Sequence, residues 1–535
     1  MKALQELAFI LTKGKLKTVD LFRANSGGQP QKLKTFYEGI LQNRFQTDEE
    51  AALFFFKSEP GGQAYQKLKA NLKSRLINAL FLVDLKQPSY NERQKAYYEC
   101  YKDWAAAKIL FGKDARMAGM TLFHKVLKIA KKYEFTDLVL DITRNLCLQY
   151  ANRDGDIKKY EQYREQYLEA ERLYLAEGKA ELFYADLVAR FVNSKATQSE
   201  IREEAGAYFQ QTEALLKTSD SYGLRLCAMM IQLIYVTSIH DYRSAIAVCE
   251  AYIAYFEAKE YVANTPLQIC YYQLLVCFTQ LKEFEKGKHA ALKCLDSLEE
   301  GSFNWFKYQE QYLLLSMHTQ NYQEAYRIFQ DTQAHSKYKS LPSNVLEYWR
   351  IFEAYIYYLI EIQKIELDSG DIKLHRFKLN KFLNDTPIFS KDKRGLNIPI
   401  LIVQILLLIH FKKHDAALGR IESIEKYCSR YLRQGDTFRS NCFIKMLLQI
   451  PKSKFQTKSL IRKTEKLVNL LNSVPLESAR QTSEIEIIPY EVLWELVLES
   501  TGKNNRKIRS LKAAIQSQNR FGMHSLSKST HVLPD

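Results

Sequence analysis

His410 and His414 are the pair whose spacing first suggests chemistry, because residues four apart share a helix face and two imidazoles there could hold a metal ion. No cysteine or carboxylate trio stands nearby to complete the coordination set, and His414 falls just after a turn, so packing is the expected role. Other chemical signatures are missing. The chain has no G-x-x-x-x-G-K-[ST] loop and no G-x-G-x-x-G after a strand, so no backbone cradle for phosphate is foreseen. It has no H-E-x-x-H and no G-x-S-x-G elbow. Catalytic sets whose members are distant in sequence leave no local trace, and the ten histidines and nine cysteines scatter without pattern. The expectation is a protein with no enzymatic role, no cofactor and no metal.

The cysteines form no CxxC pair, are odd in number, and fall mostly within apolar runs such as "QICYYQLLVCF". They read as small buried hydrophobes in a reducing, cytoplasmic setting. The net charge of +16 raises the question of polyanionic partners. It is densest in "PKSKFQTKSLIRKTEK" (451–466) and "KNNRKIRSLK" (503–512), while the middle of the chain alternates sign as a solvated helix surface does. Nucleic acid is therefore an admissible partner but not the favoured one. The 34 tyrosines sit mostly at helical spacing among Leu and Ile, which points to core packing before base stacking.

The elements that would position any site are helical. With 535 residues the chain exceeds what one core supports, so it is either several domains or an elongated array. Its 20 Gly and 11 Pro fall well under the typical combined share of about 12%, which argues for helices joined by short polar turns. The segments "HDYRSAI" (240–246), "KEFEKGK" (282–288), "QNYQEAY" (320–326) and "KKHDAAL" (412–418) echo one another. Aligned on Tyr242, Phe284, Tyr322 and His414, each follows a helix-length apolar stretch and carries a small residue three positions on: Ala245, Gly287, Ala325 and Ala417. A fifth instance is anchored on Ile157. The pattern predicts antiparallel helix pairs, with the anchor plugging the gap after the turn and the small residue permitting close crossing.

This pattern resembles the tetratricopeptide (TPR) repeat. Tyr271, Leu274, Leu275, Phe278, Phe284 and Gly287 match its places in one unit, Leu313, Tyr322, Ala325 and Phe329 in the next, and Leu148, Gly155 and Ile157 upstream. Units here run near 40 residues where the family's are about 34, and no unit carries the full set. The resemblance implies an all-α, superhelical solenoid of antiparallel helix pairs (TPR-like) with a concave groove. By the family's groove positions, Met230, Ile234 and Thr237, then Tyr272, Val276 and Thr279, then Lys307, Glu310 and Leu314 would face a partner. The paired Lys and Asn of the family's carboxylate clamp are absent from this set, so a helix or extended segment with apolar anchors is the expected ligand. The other outcome weighed is that another part of this chain fills the groove.

Residues 1–90 read as an N-terminal helical cap, 91–500 as the repeat array, and 501–535 as a basic tail whose order fades. The first residues, "MKALQELAFILTKGKLK", suggest a helix and not a signal peptide. In 64–84, Leu68, Leu72, Leu76 and Leu80 form a stripe beside basic residues, the docking face of the cap. Thr197 to Glu200 reads as a capping box opening a helix to about Leu216. One long helix is expected over 341–367, N-capped by Ser343 and ended by "LDSGD" at 367–371. The apolar window at 397–413 is too short for the roughly 20 residues a membrane span needs. The functional expectation is a cytoplasmic scaffold or adaptor binding a protein or peptide. The alternative is a nucleic-acid-associated regulator using the basic N-terminal helix or C-terminal tail.

Overall fold

Six helix-to-helix turns are built the same way, and none uses glycine. In the computed structural model, which describes residues 1–13, 30–82, 91–193, 198–367, 380, 382–383, 397–431, 438–476 and 485–501, Asp114, Glu134, His240, Lys282, Gln320 and Lys412 all adopt φ between 54° and 60°. At Lys282 the residue's own N–H donates to the Thr279 carbonyl at 3.2 Å, and the next N–H, of Glu283, donates to Phe278 at 2.9 Å. Gln320 and Asn321 repeat this onto Met317 and Ser316 at 3.3 and 2.9 Å. These bonds satisfy carbonyls that a helix end leaves without partners, and the left-handed residue reverses the chain. Tyr242, Phe284, Tyr322 and His414 are each the first residue of the helix that follows. Ile157 also opens a helix, after a short π-helical stretch at Tyr150–Asp154 and Gly155 at φ 61°.

The small residues after these anchors are buried: Ala245, Ala325 and Ala417 are at 0% exposure. A Cβ on Gly287 would lie 2.6 Å from Leu315 Cδ2 and 3.2 Å from Phe278 Cβ, so the close crossing needs the missing side chain. The plugging role divides by residue type. Tyr322 is buried and Tyr242 and Phe284 are half-buried, whereas His414 and Ile157 are exposed and plug nothing.

All regular structure among the described residues is helical, in two compact units. The first comprises Met1–Leu182, Ala214–Arg225 and Glu257–Ala263. Its helices α1 (Lys2–Lys13), α2 (Pro30–Leu41), α3 (Asp48–Phe56) and α4 (Gln63–Leu80) share a core in which Leu68, Leu72 and Leu76 of α4 meet Leu4, Phe36 and Tyr37. The leucine stripe thus docks inside, and Lys69 pairs with Asp48 at 2.8 Å. Next come α5 (Glu92–Gly112), α6 (Arg116–Lys132) and α7 (Thr136–Gln149), each packed on its successor, with the Trp104 and Phe123 rings 4.6 Å apart.

Four helices contribute residues to both units: α8 (Ile157–Asn193), α9 (Gln198–Leu216), α10 (Tyr222–Ser238) and α11 (Tyr242–Glu257). Thr197, the anticipated cap of α9, lies outside the described residues.

The second unit comprises Phe183–Glu213, Leu226–Phe256 and the described residues from Asn264 onward. Its helices are α12 (Asn264–Leu281), α13 (Phe284–Leu295), α14 (Phe303–His318), α15 (Tyr322–Ala334), α16 (Ser343–Glu361), α17 (Asn397–His410), α18 (His414–Tyr431), α19 (Phe438–Leu447), α20 (Gln449–Lys452), α21 (Thr457–Asn472) and α22 (Tyr490–Thr501). Here α12 packs on α13 and α14, α14 on α15, α15 on α16, α16 on α17, and α17 on α18. Residues 397–409 of α17 are buried throughout, which explains its all-round apolar sequence. No helix among the described residues is long and apolar enough to cross a membrane.

Two expected boundaries move. The long helix α16 ends at Glu361, because Gln363 turns left-handed (φ 60°) and the Lys364 N–H reaches back to Leu359 O at 2.8 Å. Its N-cap is Pro342, and Ser343 is the first helical residue with no side-chain cap bond. The basic tail beyond Thr501 lies outside the described residues.

A left-handed backbone costs a residue bearing a Cβ about 1–2 kcal/mol, and glycine removes that cost while adding about 0.5–1 kcal/mol of unfolded-state freedom. Gln320→Gly is therefore expected to stabilise the chain by about 0.5–1 kcal/mol and Gln320→Val to destabilise it, read as opposite shifts in the urea midpoint.

Candidate functional site

Arg439, at the start of α19, is 1% exposed and yet charged. Its Nε donates to Glu486 Oε1 at 2.7 Å and its Nη2 to Glu486 Oε2 at 3.0 Å, the two parallel bonds that a planar guanidinium makes best. The other Nη2 donor goes to Glu491 Oε2, and Nη1 donates to the carbonyls of Val474 (2.7 Å) and Leu471 (3.4 Å). All five guanidinium N–H groups are thereby engaged, leaving none for a bound ligand. Glu491 also accepts from Lys282 Nζ at 2.6 Å, so two cations and two carboxylates balance.

The partners lie far apart in sequence, and what they fasten is the segment 485–501. The carbonyl of Glu486 accepts from His318 Nε2 at 2.6 Å, which fixes the proton of that imidazole on Nε2. A Glu486 carboxylate oxygen accepts the Tyr490 N–H at 3.1 Å, capping α22, and Glu491 lies in the first turn of that helix, where a negative charge meets the positive dipole end. The Tyr490 ring stacks on Phe443 at 4.4 Å, and Lys364 pairs with Glu499 at 3.1 Å. Ile487, Ile488, Leu493, Trp494 and Val497 join the main core.

Burial pushes the Glu486 carboxyl upward against the pull of Arg439. Burial would raise Glu491 too, but Lys282 and Arg439 outweigh it and hold that carboxyl down at about 2.

This placement decides what the groove positions can do. Thr279 is one turn before Lys282 on α12, and Leu314 one turn before His318 on α14. Thr279 is at 0% exposure and bonded by Gln311 Nε2 at 3.2 Å, and Leu314 is at 1%. Glu310 is at 7%, paired with Lys307 at 2.9 Å. These three residues offer no open surface. Met230, Ile234 and Thr237 on α10, Tyr272 and Val276 on α12, and Lys307 on α14 remain half-exposed. Tyr272 meets Tyr308 edge to face at 5.0 Å, and Ile234 packs on the small cluster of Leu187, Ala205 and Ile231.

The two histidines that opened the sequence question do not share a helix. His410 ends α17 and His414 begins α18; the first faces Glu361 at 3.7 Å and the second packs at a tilt on Phe455, ring centroids 3.9 Å apart. A four-residue spacing across a reversing turn carries no common face. Among the described residues no group of three His, Cys, Asp or Glu is arranged to hold a metal. Among the described residues seven cysteines are buried, and burial pushes three of the thiols up, to about 11 at Cys277 and about 12 at Cys100 and Cys294, which keeps those three protonated and unreactive near neutral pH.

In the first unit, two carboxylates gather at the start of α10. Glu134 accepts from the Tyr222 N–H at 2.8 Å and from Tyr261 Oη at 3.1 Å, and pairs with Lys259 at 2.8 Å. Glu177, whose carboxyl burial pushes up, accepts the hydroxyls of Thr136 (2.7 Å) and Ser221 (2.5 Å). Their bonds are spent on holding the helix end, as in any N-terminal capping arrangement.

No family model, curated protein or solved structure matches the chain.

Removing one partner of the buried set leaves a lone charge, which costs about 3–5 kcal/mol. Glu486→Gln and Arg439→Met should each lower the unfolding midpoint followed by Trp fluorescence, and the double variant Arg439→Met with Glu486→Leu should recover much of the loss. Acid gives a separate reading. Because Glu491 titrates at about 2 in the folded state against an ordinary 4.5, its contribution is complete above pH 4.5 and is lost as pH falls toward 2. Glu491→Gln should flatten the decline in that window.

Proposed function

We propose that the helix pairs stack as a TPR-like solenoid and that the chain is a non-catalytic scaffold, working in the reducing cytoplasm, that binds a protein or peptide with apolar anchors. The observation that carries this reading is the half-exposed strip of Met230, Ile234, Tyr272 and Val276, on the first helices of two successive pairs. Recurrent turns of one geometry and the packing of α12 on both α13 and α14 support the stacking. The side formed by α14, α16 and α17 carries 485–501 already, which leaves α10 and α12 as the place for a second segment. An aromatic and three aliphatic or thioether side chains at helical spacing suit the apolar face of an amphipathic helix.

Fluorescence anisotropy with a panel of labelled amphipathic helical peptides tests this. Tyr272→Ala is expected to weaken the best binder about tenfold, on the order of 1.4 kcal/mol, with unchanged circular dichroism. Equal affinity in Tyr272→Ala and Val276→Asp would remove the strip from consideration.

A further inference from the structure

The sequence between Lys445 and Lys466 holds seven basic residues and one acidic residue, Glu465. Elsewhere in the chain, helix surfaces interleave their charges, as in Lys34 with Glu38, Arg190 with Asp186 and Arg327 with Glu324. On α21 this interleaving stops. Lys458, Arg462 and Lys466 recur every fourth residue and are exposed, while Leu460, Thr464 and Leu471 are buried on the opposite side. None of the three has a carboxylate partner among the described residues. Like charges at this spacing weaken a helix by a few tenths of a kcal/mol each, so the stripe is maintained against its own helix.

Two turns adjoin the stripe. Lys463 Nζ donates to the carbonyl of Lys452, which brings the turn before α21 against the helix. That turn carries Lys454 and Phe455 in succession at φ 52° and 57°, a left-handed pair without glycine, and strain of this kind concentrates at working surfaces. The Phe455 ring packs against His414 at a tilt, which brings the exposed Lys412 and Lys413 near the same turn. The result gathers cations from two turns near a helix stripe on the second unit, the stripe rising about 6 Å per cation.

We propose that this face binds the sugar-phosphate backbone of a nucleic acid. A pI of 9.1 with cations clustered along one helix face is the electrostatic footprint of such binding. A membrane surface is the poorer fit, because interfacial helices need a row of large apolar side chains beside their cations, whereas α21 exposes a single large one, Leu470. The face is separate from the strip on α10 and α12 and does not depend on the peptide-binding reading.

The test is anisotropy of the full chain with a labelled 20-nucleotide RNA and a 20-base-pair DNA across a salt series. At least one is expected to bind at low salt, with affinity falling steeply as salt rises. The triple variant Lys458→Gln, Arg462→Gln, Lys466→Gln should lose at least tenfold in affinity and flatten the log–log salt slope by about 2–3, since each phosphate contact contributes about 0.7–0.9. A control with the same charge change elsewhere, Lys113→Gln, Lys286→Gln, Lys293→Gln, should bind nearly as the parent does. The pair Lys412→Gln, Lys413→Gln gives a second reading with α21 untouched and should lose affinity by a smaller factor. No binding at low salt, equal losses in the triple variant and its control, or tighter binding to phosphatidylserine vesicles than to either nucleic acid would overturn the proposal.

Discussion

The second unit depends on one buried guanidinium. Taking Arg439 out of water is costly unless every donor finds a partner, and the geometry at Glu486, Glu491, Leu471 and Val474 supplies all of them. Because those partners come from 471–474 and 486–491, satisfying the charge requires the chain to return across the helices already formed. Hydrophobic burial of Ile487, Ile488 and Trp494 provides the driving force for that return, while the ion network sets its register. A shift of one residue along the segment would turn Glu486 away from Arg439 and leave a bare charge inside. The specificity is thus electrostatic and the stability largely apolar.

The turns impose a second constraint. A helix array of this kind needs its chain to reverse within two residues, and glycine is the cheap solution. This chain uses His, Lys, Gln, Asp and Glu instead, at a cost of about 1 kcal/mol or more each. What the side chains return is visible at two positions. Glu134, itself left-handed, reaches the first N–H of α10 and takes the Lys259 ammonium, and Lys282 reaches Glu491. A glycine would reverse the chain equally well but could make neither contact. At Gln320 no such contact exists, and the conformational cost there stands uncompensated.

The helical class, the anchor residues and the buried small positions were legible because they repeat, and repetition depends on local geometry. Where one residue departed from the pattern, its burial did too: His414 is polar and Ile157 follows a π-helical stretch, and both are exposed. The fastening of 485–501 to Lys282 and His318 was not legible by spacing, since the segment lies some 200 residues downstream of Lys282 and no repeat rule links them. The segment "EIEIIPYEVLWELVLES" did hold a signal, its apolar residues occupying more faces than a solvated end helix tolerates. Groove positions transferred from a repeat family assume accessible side chains, and here Thr279, Glu310 and Leu314 are buried.

The charge distribution follows from the same logic. Cations that serve the fold are found in pairs, because an unpaired charge near the core is expensive: Lys69 has Asp48, Lys282 has Glu491, Arg439 has two carboxylates. On α21 the fold makes no such demand, since Lys458, Arg462 and Lys466 are fully solvated and their removal would leave every packing contact of Leu460, Thr464 and Leu471 in place. A stripe whose packing the fold does not need, and that its own repulsion opposes, suits the anion contact proposed for this face. That reasoning applies to the α21 face and not to the net charge as a whole.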